Sequence, residues 1–270
     1  MSEIYGYLAA VLVGLVLGMI GAGGSILTVP ILVYLMGINP VLATVYSLFV
    51  VGFTTLIGSV SYIRQGLVNI KTSIAFAVPS LVSIFLTRKY ILPSLPEVIY
   101  QSGDLIISKD IFILFLFAVI MLFSSLSMIY SNVKEKDDHH SMTMNENLIL
   151  IFYGFAVGFV TGMVGAGGGF LIVPALVFFA RIPVKAAIGT SLLIISANSL
   201  SGFAGDLTGD YIIDWKLLLI FLGFAIAGIL VGSRLTKFVS GKNLKKVFGV
   251  IVLVMGVYII FRELSELNIF

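Results

Sequence analysis

The fold class this sequence predicts is an all-α integral membrane protein, built as two homologous repeats of four to five membrane segments, each with a Gly-broken helix pair. Three observations predict it. The chain is 59% hydrophobic and 11% charged over 270 residues, with a mean hydropathy of +1.15, which is too apolar for an ordinary soluble domain. Its apolar residues gather into successive runs separated by short polar stretches. One glycine motif occurs twice, as Gly18-Met19-Ile20-Gly21-Ala22-Gly23-Gly24-Ser25 and, 144 positions on, as Gly162-Met163-Val164-Gly165-Ala166-Gly167-Gly168-Gly169.

The apolar runs cover 4–20, 25–37, 41–63, 72–92, 111–130, 148–164, 169–180, 185–205, 215–236 and 244–261. A full span needs about 20 residues, or about 17 at the short end. The runs at 25–37 and 169–180, which follow the two glycine motifs, fall short of that and are expected to be half-helices. Each either continues the preceding segment beyond a kink or folds back as a hairpin, so the chain has eight spans in the first case and ten in the second. The first run, Ile4 to Ile20, is preceded by no positive charge and leads into a glycine motif, so it is expected to be retained and not cleaved as a signal.

The repeat extends beyond the glycines. Pro30 and Pro174 follow the two motifs at the same distance, Ser47-Leu48 falls on Ser191-Leu192, and Gly58 falls on Gly202. Asn69-Ile70-Lys71 lies near Asp214-Trp215-Lys216 with one residue inserted. Residues 1–132 are therefore expected to form a first membrane repeat and 148–270 a second, joined by a polar linker over 133–147. Within that linker Asp137-Asp138-His139-His140 has metal-ligand chemistry, but adjacent ligands on a flexible strand form no preorganised site, and a solvated linker is the expectation. A second polar insertion, Pro93 to Asp110, is expected to be an extramembrane loop.

The net charge of +3 is a matter of topology and not of nucleic-acid binding, because the 16 basic residues sit mostly between apolar runs. With eight spans, ten of them fall on the cytoplasmic side: Arg88, Lys89, Lys109, Arg181, Lys185, Arg234, Lys237, Lys242, Lys245 and Lys246. With ten spans, the first three are exchanged for Arg64, Lys71, Lys134 and Lys136, giving eleven inside and five outside. Both arrangements put the 234–246 loop inside and both termini outside. Eight spans make the repeats parallel; ten make them inverted, an arrangement common in secondary transporters.

The glycine breaks carry the chemistry. A glycine inside a helix costs roughly 1 kcal/mol relative to alanine, and in a bilayer the freed backbone groups have no water to pair with. Such a break persists where it lines a cavity or touches a ligand. A half-helix starting at Gly23 or Gly167 presents unpaired N–H groups and a positive dipole end, which together suit an anion. Close helix packing through small residues is the competing explanation. The candidate substrate-binding residues are Gly21, Gly23, Gly24, Ser25, Gly165, Gly167, Gly168 and Gly169 at the breaks. Ser47, Thr190, Ser191 and Asn198, one helix later, add hydroxyl and amide donors, although Ser and Thr in membrane helices often bond back to their own helix. Arg181 and Lys185 flank the second half-helix, where they either attract anions or serve as interfacial anchors. Asp206 is the acid closest to a membrane segment and the candidate proton relay, with helix-end capping as the plainer role.

No catalytic constellation, metal site or cofactor motif accompanies these residues. The two histidines are adjacent in the linker, cysteine is absent, and neither glycine motif runs into the Lys-Ser/Thr of a phosphate-binding loop. An enzyme is not expected, and neither is a nucleic-acid partner.

The residues resemble those of the sulfite exporter TauE/SafE family of membrane permeases, a sulfonate-uptake type of transporter. The resemblance rests on Gly-x-Gly-Gly-Gly/Ser with a following proline in both halves, on Gly189-Thr190-Ser191-Leu192, on Asn198, and on Arg64-Gln65-Gly66-Leu67-Val68-Asn69. It covers almost the whole chain. It implies a multi-pass plasma-membrane permease for small sulfur oxyanions such as sulfite, organosulfonates or related organic acids, with the glycine breaks near the substrate path. The first half departs from the pattern, carrying Thr44-Val45-Tyr46-Ser47-Leu48 where Gly-Thr-Ser-Leu is expected. The expected partners are a small anion, the lipid bilayer, and H+ or Na+ as coupling ion. An anion channel or a non-transporting membrane protein is the alternative reading.

Overall fold

In a computed structural model of the chain, the described residues are 2–102, 105–130, 144–165, 167–178, 180, 182–209, 211–235 and 241–266. The linker residues Asp137, Asp138, His139 and His140 lie outside them, as does Arg181. Helix α1 (Ser2–Ile20) ends at the first glycine motif. The next segment, α2 over 22–35, joins a 3-10 turn (Ala22–Leu27), an α turn (Thr28–Pro30) and a π turn (Ile31–Leu35). Helix α3 (Pro40–Arg64) is followed by α4 over 70–94, in which an α-helix (Ile70–Leu86) passes through a π turn (Thr87–Ile91). An antiparallel hairpin, β1 (Val98–Ser102) and β2 (Leu105–Ser108), occupies the polar insertion and leads into α5 (Lys109–Tyr130). Beyond the linker come α6 (Met144–Val164), α7 (Gly169–Phe178), α8 (Val184–Asp206), α9 (Trp215–Leu235) and α10 (Gly241–Glu266).

Short polar sequences set where these helices begin. The Asn39 carboxamide accepts from the N–H groups of Val41 and Leu42 at 3.0 and 3.4 Å, and Pro40 supplies a first-turn residue with no N–H to satisfy. Asn69 accepts from Thr72 N at 3.1 Å to start α4, and Asp214 accepts from Leu217 N at 3.0 Å to start α9. Among the described residues, five helices are long and apolar enough to cross a membrane: Pro40–Arg64, Ile70–Ser94, Lys109–Leu126, Lys185–Asp206 and Trp215–Leu235. The burial pattern across the helices inverts the soluble one. Phe152, Phe123 and Phe261 are 77%, 71% and 68% exposed, whereas Thr54, Thr55, Ser80 and Ser83 are buried between helices.

Contacts at glycines show which helices touch and in which direction they run. On α1, Gly14 lies on the backbone of Ala225 and Gly18 on that of Ile229 and Ser233, while Gly228 and Gly232 of α9 lie on Val11 and Leu15. The contacts rise together, so α1 and α9 run parallel. Likewise Gly154, Gly158 and Gly162 of α6 meet Phe76, Ser80 and Thr87 of α4, and those two helices also run parallel. Between α3 and α8 the order reverses, since Gly52 meets Leu200, Gly58 approaches Leu192, and Gly202 meets Leu48. These two antiparallel helices form the centre. The side chain of Met36, beyond α2, lies on Gly6 near the start of α1, so α2 turns back along α1. Gly168 lies on Thr161 and Val157, so the second break turns back along α6 in the same way.

Candidate functional site

At the first break Gly21 has φ 75° and ψ −124°, a conformation closed to side-chain-bearing residues, and the 3-10 turn starts at Ala22. Gly23 and Gly24 fall inside that turn. An apolar side chain lies against Gly21: Cγ2 of Ile188 is 2.8 Å from where a Cβ there would stand. Ser25 is buried in the same turn.

The second break differs in geometry and in lining. Gly165, Gly167 and Gly168 have φ of 73°, 67° and 68°, and α7 begins only at Gly169. The expected half-helix starts, Gly23 and Gly167, are thus corrected to Ala22 and Gly169. Positive φ at Gly21, Gly165, Gly167 and Gly168 ends one helix and, in the second copy, delays the next. Around this break the neighbours are polar. A Cβ on Gly165 would overlap Thr44 and stand 2.6 Å from Nη2 of Arg88; one on Gly167 would stand 2.7 Å from Oγ of Ser199; one on Gly168 would overlap the Thr161 hydroxyl.

Arg88 is the least expected of these groups. Sequence position placed it among loop cations at the end of an apolar run, yet it is 1% exposed in the π turn of α4. Its Nη1 donates to Thr44 Oγ1 at 2.9 Å and lies 3.4 Å from Oδ2 of Asp206. Asp206, expected as a relay or a helix cap, is 3% exposed at the end of α8 and faces this guanidinium. Several buried polar atoms here have no hydrogen-bond partner among the described residues: Arg88 Nε and Nη2, Thr161 Oγ1, Ser199 Oγ, Asn198 Oδ1 and both Asp206 oxygens. Unpaired buried groups are costly, and so many in one place mark it out.

The remaining candidates separate. Asn198 donates to Ser80 Oγ at 2.6 Å and joins α8 to α4 beside the break. Ser47 is fully buried on α3, its hydroxyl without a partner among the described residues. Thr190 and Ser191 lie near the other end of α8, where Thr190 Oγ1 accepts from Asn69 N at 2.9 Å and Ser191 bonds back to Ile188 O at 2.8 Å. Lys185 is exposed on the first turn of α8. Tyr46, where the first half departs from the family pattern, is 2% exposed, and its hydroxyl accepts from Asp214 N at 2.6 Å. Thr44, Arg88, Thr161 and Ser199 were missed because a lone hydroxyl or terminal arginine in an apolar run carries no spacing signal.

Comparison with known proteins agrees with the motif resemblance. Residues 6–259 match the family model described as sulfite exporter TauE/SafE. A probable membrane transporter protein of Xylella fastidiosa (strain 9a5c) is 32% identical over 264 residues, covering 95% of this chain and 94% of the relative. The probable membrane transporter proteins YjnA and YunE of Bacillus subtilis (strain 168) are 28% and 24% identical, over 94% and 95% of this chain and 98% of each relative. No solved structure matches the chain. With the family match spanning nearly its whole length and five helices among the described residues suited to crossing a bilayer, this chain belongs to the sulfite exporter TauE/SafE family and is a multi-pass membrane protein.

Proposed function

We propose that this protein is a secondary transporter of small anions, sulfur oxyanions or organosulfonates such as sulfite, which it binds at the glycine breaks between its two halves. The observation that carries this reading is the second break, where a helix start and buried donors without protein acceptors lie together. A helix N-terminus with its positive dipole end, set among hydroxyl and guanidinium donors, is complementary to an oxyanion. Family membership supports transport, and relatives at similar length carry transporter names.

The halves, 1–132 and 148–270 with the linker 133–147 between them, are read as inverted repeats of five segments. The parallel pairs α1 with α9 and α4 with α6, and the antiparallel α3 and α8, support this arrangement. Export of an anion from an inside-negative cell is driven by the potential, at about 2.3 kcal/mol per charge per 100 mV, and needs no coupling ion. Uptake needs H+ or Na+. The test is flux in proteoliposomes with sulfite, thiosulfate, taurine and sulfoacetate. Saturable uptake with counterflow of at least one of these supports a carrier; current without counterflow supports a channel, and no flux of any of them overturns the reading.

A further inference from the structure

The two breaks are duplicated in sequence but not in chemistry. At the 144-residue offset, Thr44 beside Gly165 corresponds to Ile188 beside Gly21, and Asp206 corresponds to Tyr62. Tyr62 donates its hydroxyl to Gly18 O at 3.1 Å and carries no charge to pair with. Past the single inserted residue, Arg88 corresponds to Ser233, which bonds back to Leu230 O at 3.1 Å. At Gly21 the first break thus meets an aliphatic side chain, whereas at Gly165 the second is faced by a cation with two donors unused.

We propose that the second break alone holds the transported anion, that Arg88 is its ligand, and that the Asp206 carboxylate is a resident counter-ion which the anion displaces. The proposal rests on the anion-transport reading above. Arg88 is held for the role: Thr44 accepts from Nη1, which leaves Nε and Nη2 as a two-donor fork with Nη2 against Gly165. Such a fork matches two oxygens of a sulfonate, sulfite or carboxylate. Glycine at 165 keeps the approach open, since a Cβ there would meet Nη2. Thr161 and Ser199 place further hydroxyls at Gly168 and Gly167. The resident pair has 3.4 Å between Nη1 and Oδ2 and neither Asp206 oxygen is hydrogen-bonded among the described residues, so an incoming anion that takes the free fork gains hydrogen bonds the carboxylate does not make.

Displacement has a consequence for charge. Asp206 faces Arg88 from α4, and its charge reaches Tyr211 in the segment after α8, on which Glu97 of the hairpin region and Arg88 also act. The Tyr211 phenol, pushed up by burial and by Asp206, bears no positive charge in either protonation state and offers no replacement cation. A buried carboxylate deprived of its counter-ion is strongly disfavoured, and the displaced Asp206 takes up a proton. Anion and proton are then bound together, with the guanidinium charged throughout.

The experiment measures binding of sulfite, thiosulfate, taurine and sulfoacetate to purified protein in detergent by calorimetry, in buffers of different ionisation enthalpy so that protons are counted. Wild type is expected to bind at least one probe with uptake of about one proton. Asp206→Asn should bind it as tightly or more tightly, without proton uptake. Arg88→Gln should weaken binding about thirtyfold or more, the loss typical of a truncated buried charge partner. If Arg88→Gln does not insert, the double variant Arg88→Gln, Asp206→Asn removes both charges and should insert without binding. Undiminished binding in the Arg88 variants overturns Arg88 as ligand while leaving anion transport standing. Proton uptake unchanged in Asp206→Asn overturns the displacement, as does loss of binding in a well-folded Asp206→Asn. Failure of wild type to bind any probe overturns the transport reading itself.

Discussion

A buried hydrogen bond between helices is worth less in a membrane protein than intuition suggests, because the separated helices also find partners. Asn198 and Ser80 give a measurable case. Their 2.6 Å bond joins α8 to α4 next to the second break, and both side chains are fully buried. Asn198→Leu and Ser80→Ala should each destabilise the protein, and a double-mutant cycle read by thermal or denaturant unfolding in detergent should return a coupling of about 0.6 to 1.7 kcal/mol. A coupling near zero would mean that the two side chains act independently. At this scale the sequence was partly legible. Asn198 and the glycines stood out through motif and repetition, whereas Arg88 did not: at the end of an apolar run an arginine has the signature of an interfacial anchor. Only the meeting of α4 with α8 and Gly165 shows it to be buried.

Between elements, glycine sets the distance of closest approach. Gly14 and Gly18 of α1 and Gly228 and Gly232 of α9 bring two backbones together, each glycine lying on main-chain atoms of the other helix. Gly223, on the same helix α9, has nothing within 4 Å of its would-be Cβ. Gly228→Val should force α1 and α9 apart at a cost of about 1 to 3 kcal/mol or more, as overpacking does, while Gly223→Val should be close to neutral. Apparent melting temperatures of the two variants check this, and equal shifts would refute glycine-mediated contact. Helix positions were legible from hydropathy because spans are long and apolar. Which helices pair was not, because membrane packing depends on shape and not on an amphipathic stripe. The offset of 144 that aligns the glycine motifs also carries Gly14 onto Gly158 and Gly18 onto Gly162, and both sets proved to be packing surfaces. The break and the contact are thus parts of one duplicated pattern with two physical purposes.

For the whole molecule, the fold-back of α2 and α7 bears on the span count, which charge in the loops left undecided by a single residue. If each of ten segments reverses direction, the loop at Gln65 and the loop after α9 share one face, while the hairpin at Gln101 and the turn at Thr208 share the other. The eleven-to-five distribution of Lys and Arg then makes the Gln65 face cytoplasmic. Eight spans would exchange Gln65 and Gln101 and leave Thr208 outside. The chain has no cysteine, so single-cysteine variants need no altered background. Gln65 and Gln101 are both exposed, and neither lies in the candidate site. In intact cells a membrane-impermeant thiol reagent should label Gln101→Cys and Thr208→Cys but reach Gln65→Cys only after permeabilisation. Labelling of Gln65→Cys in intact cells with protection of Gln101→Cys would sink the inverted arrangement and make the repeats parallel. The outcome also orients the site, because Thr44 near the start of α3 and Asp206 at the end of α8 lie toward the Gln101 face. With that face outside, Arg88 stands on the extracellular side of the molecule, and an anion entering from outside meets the guanidinium before it meets the aliphatic side chain of Ile188.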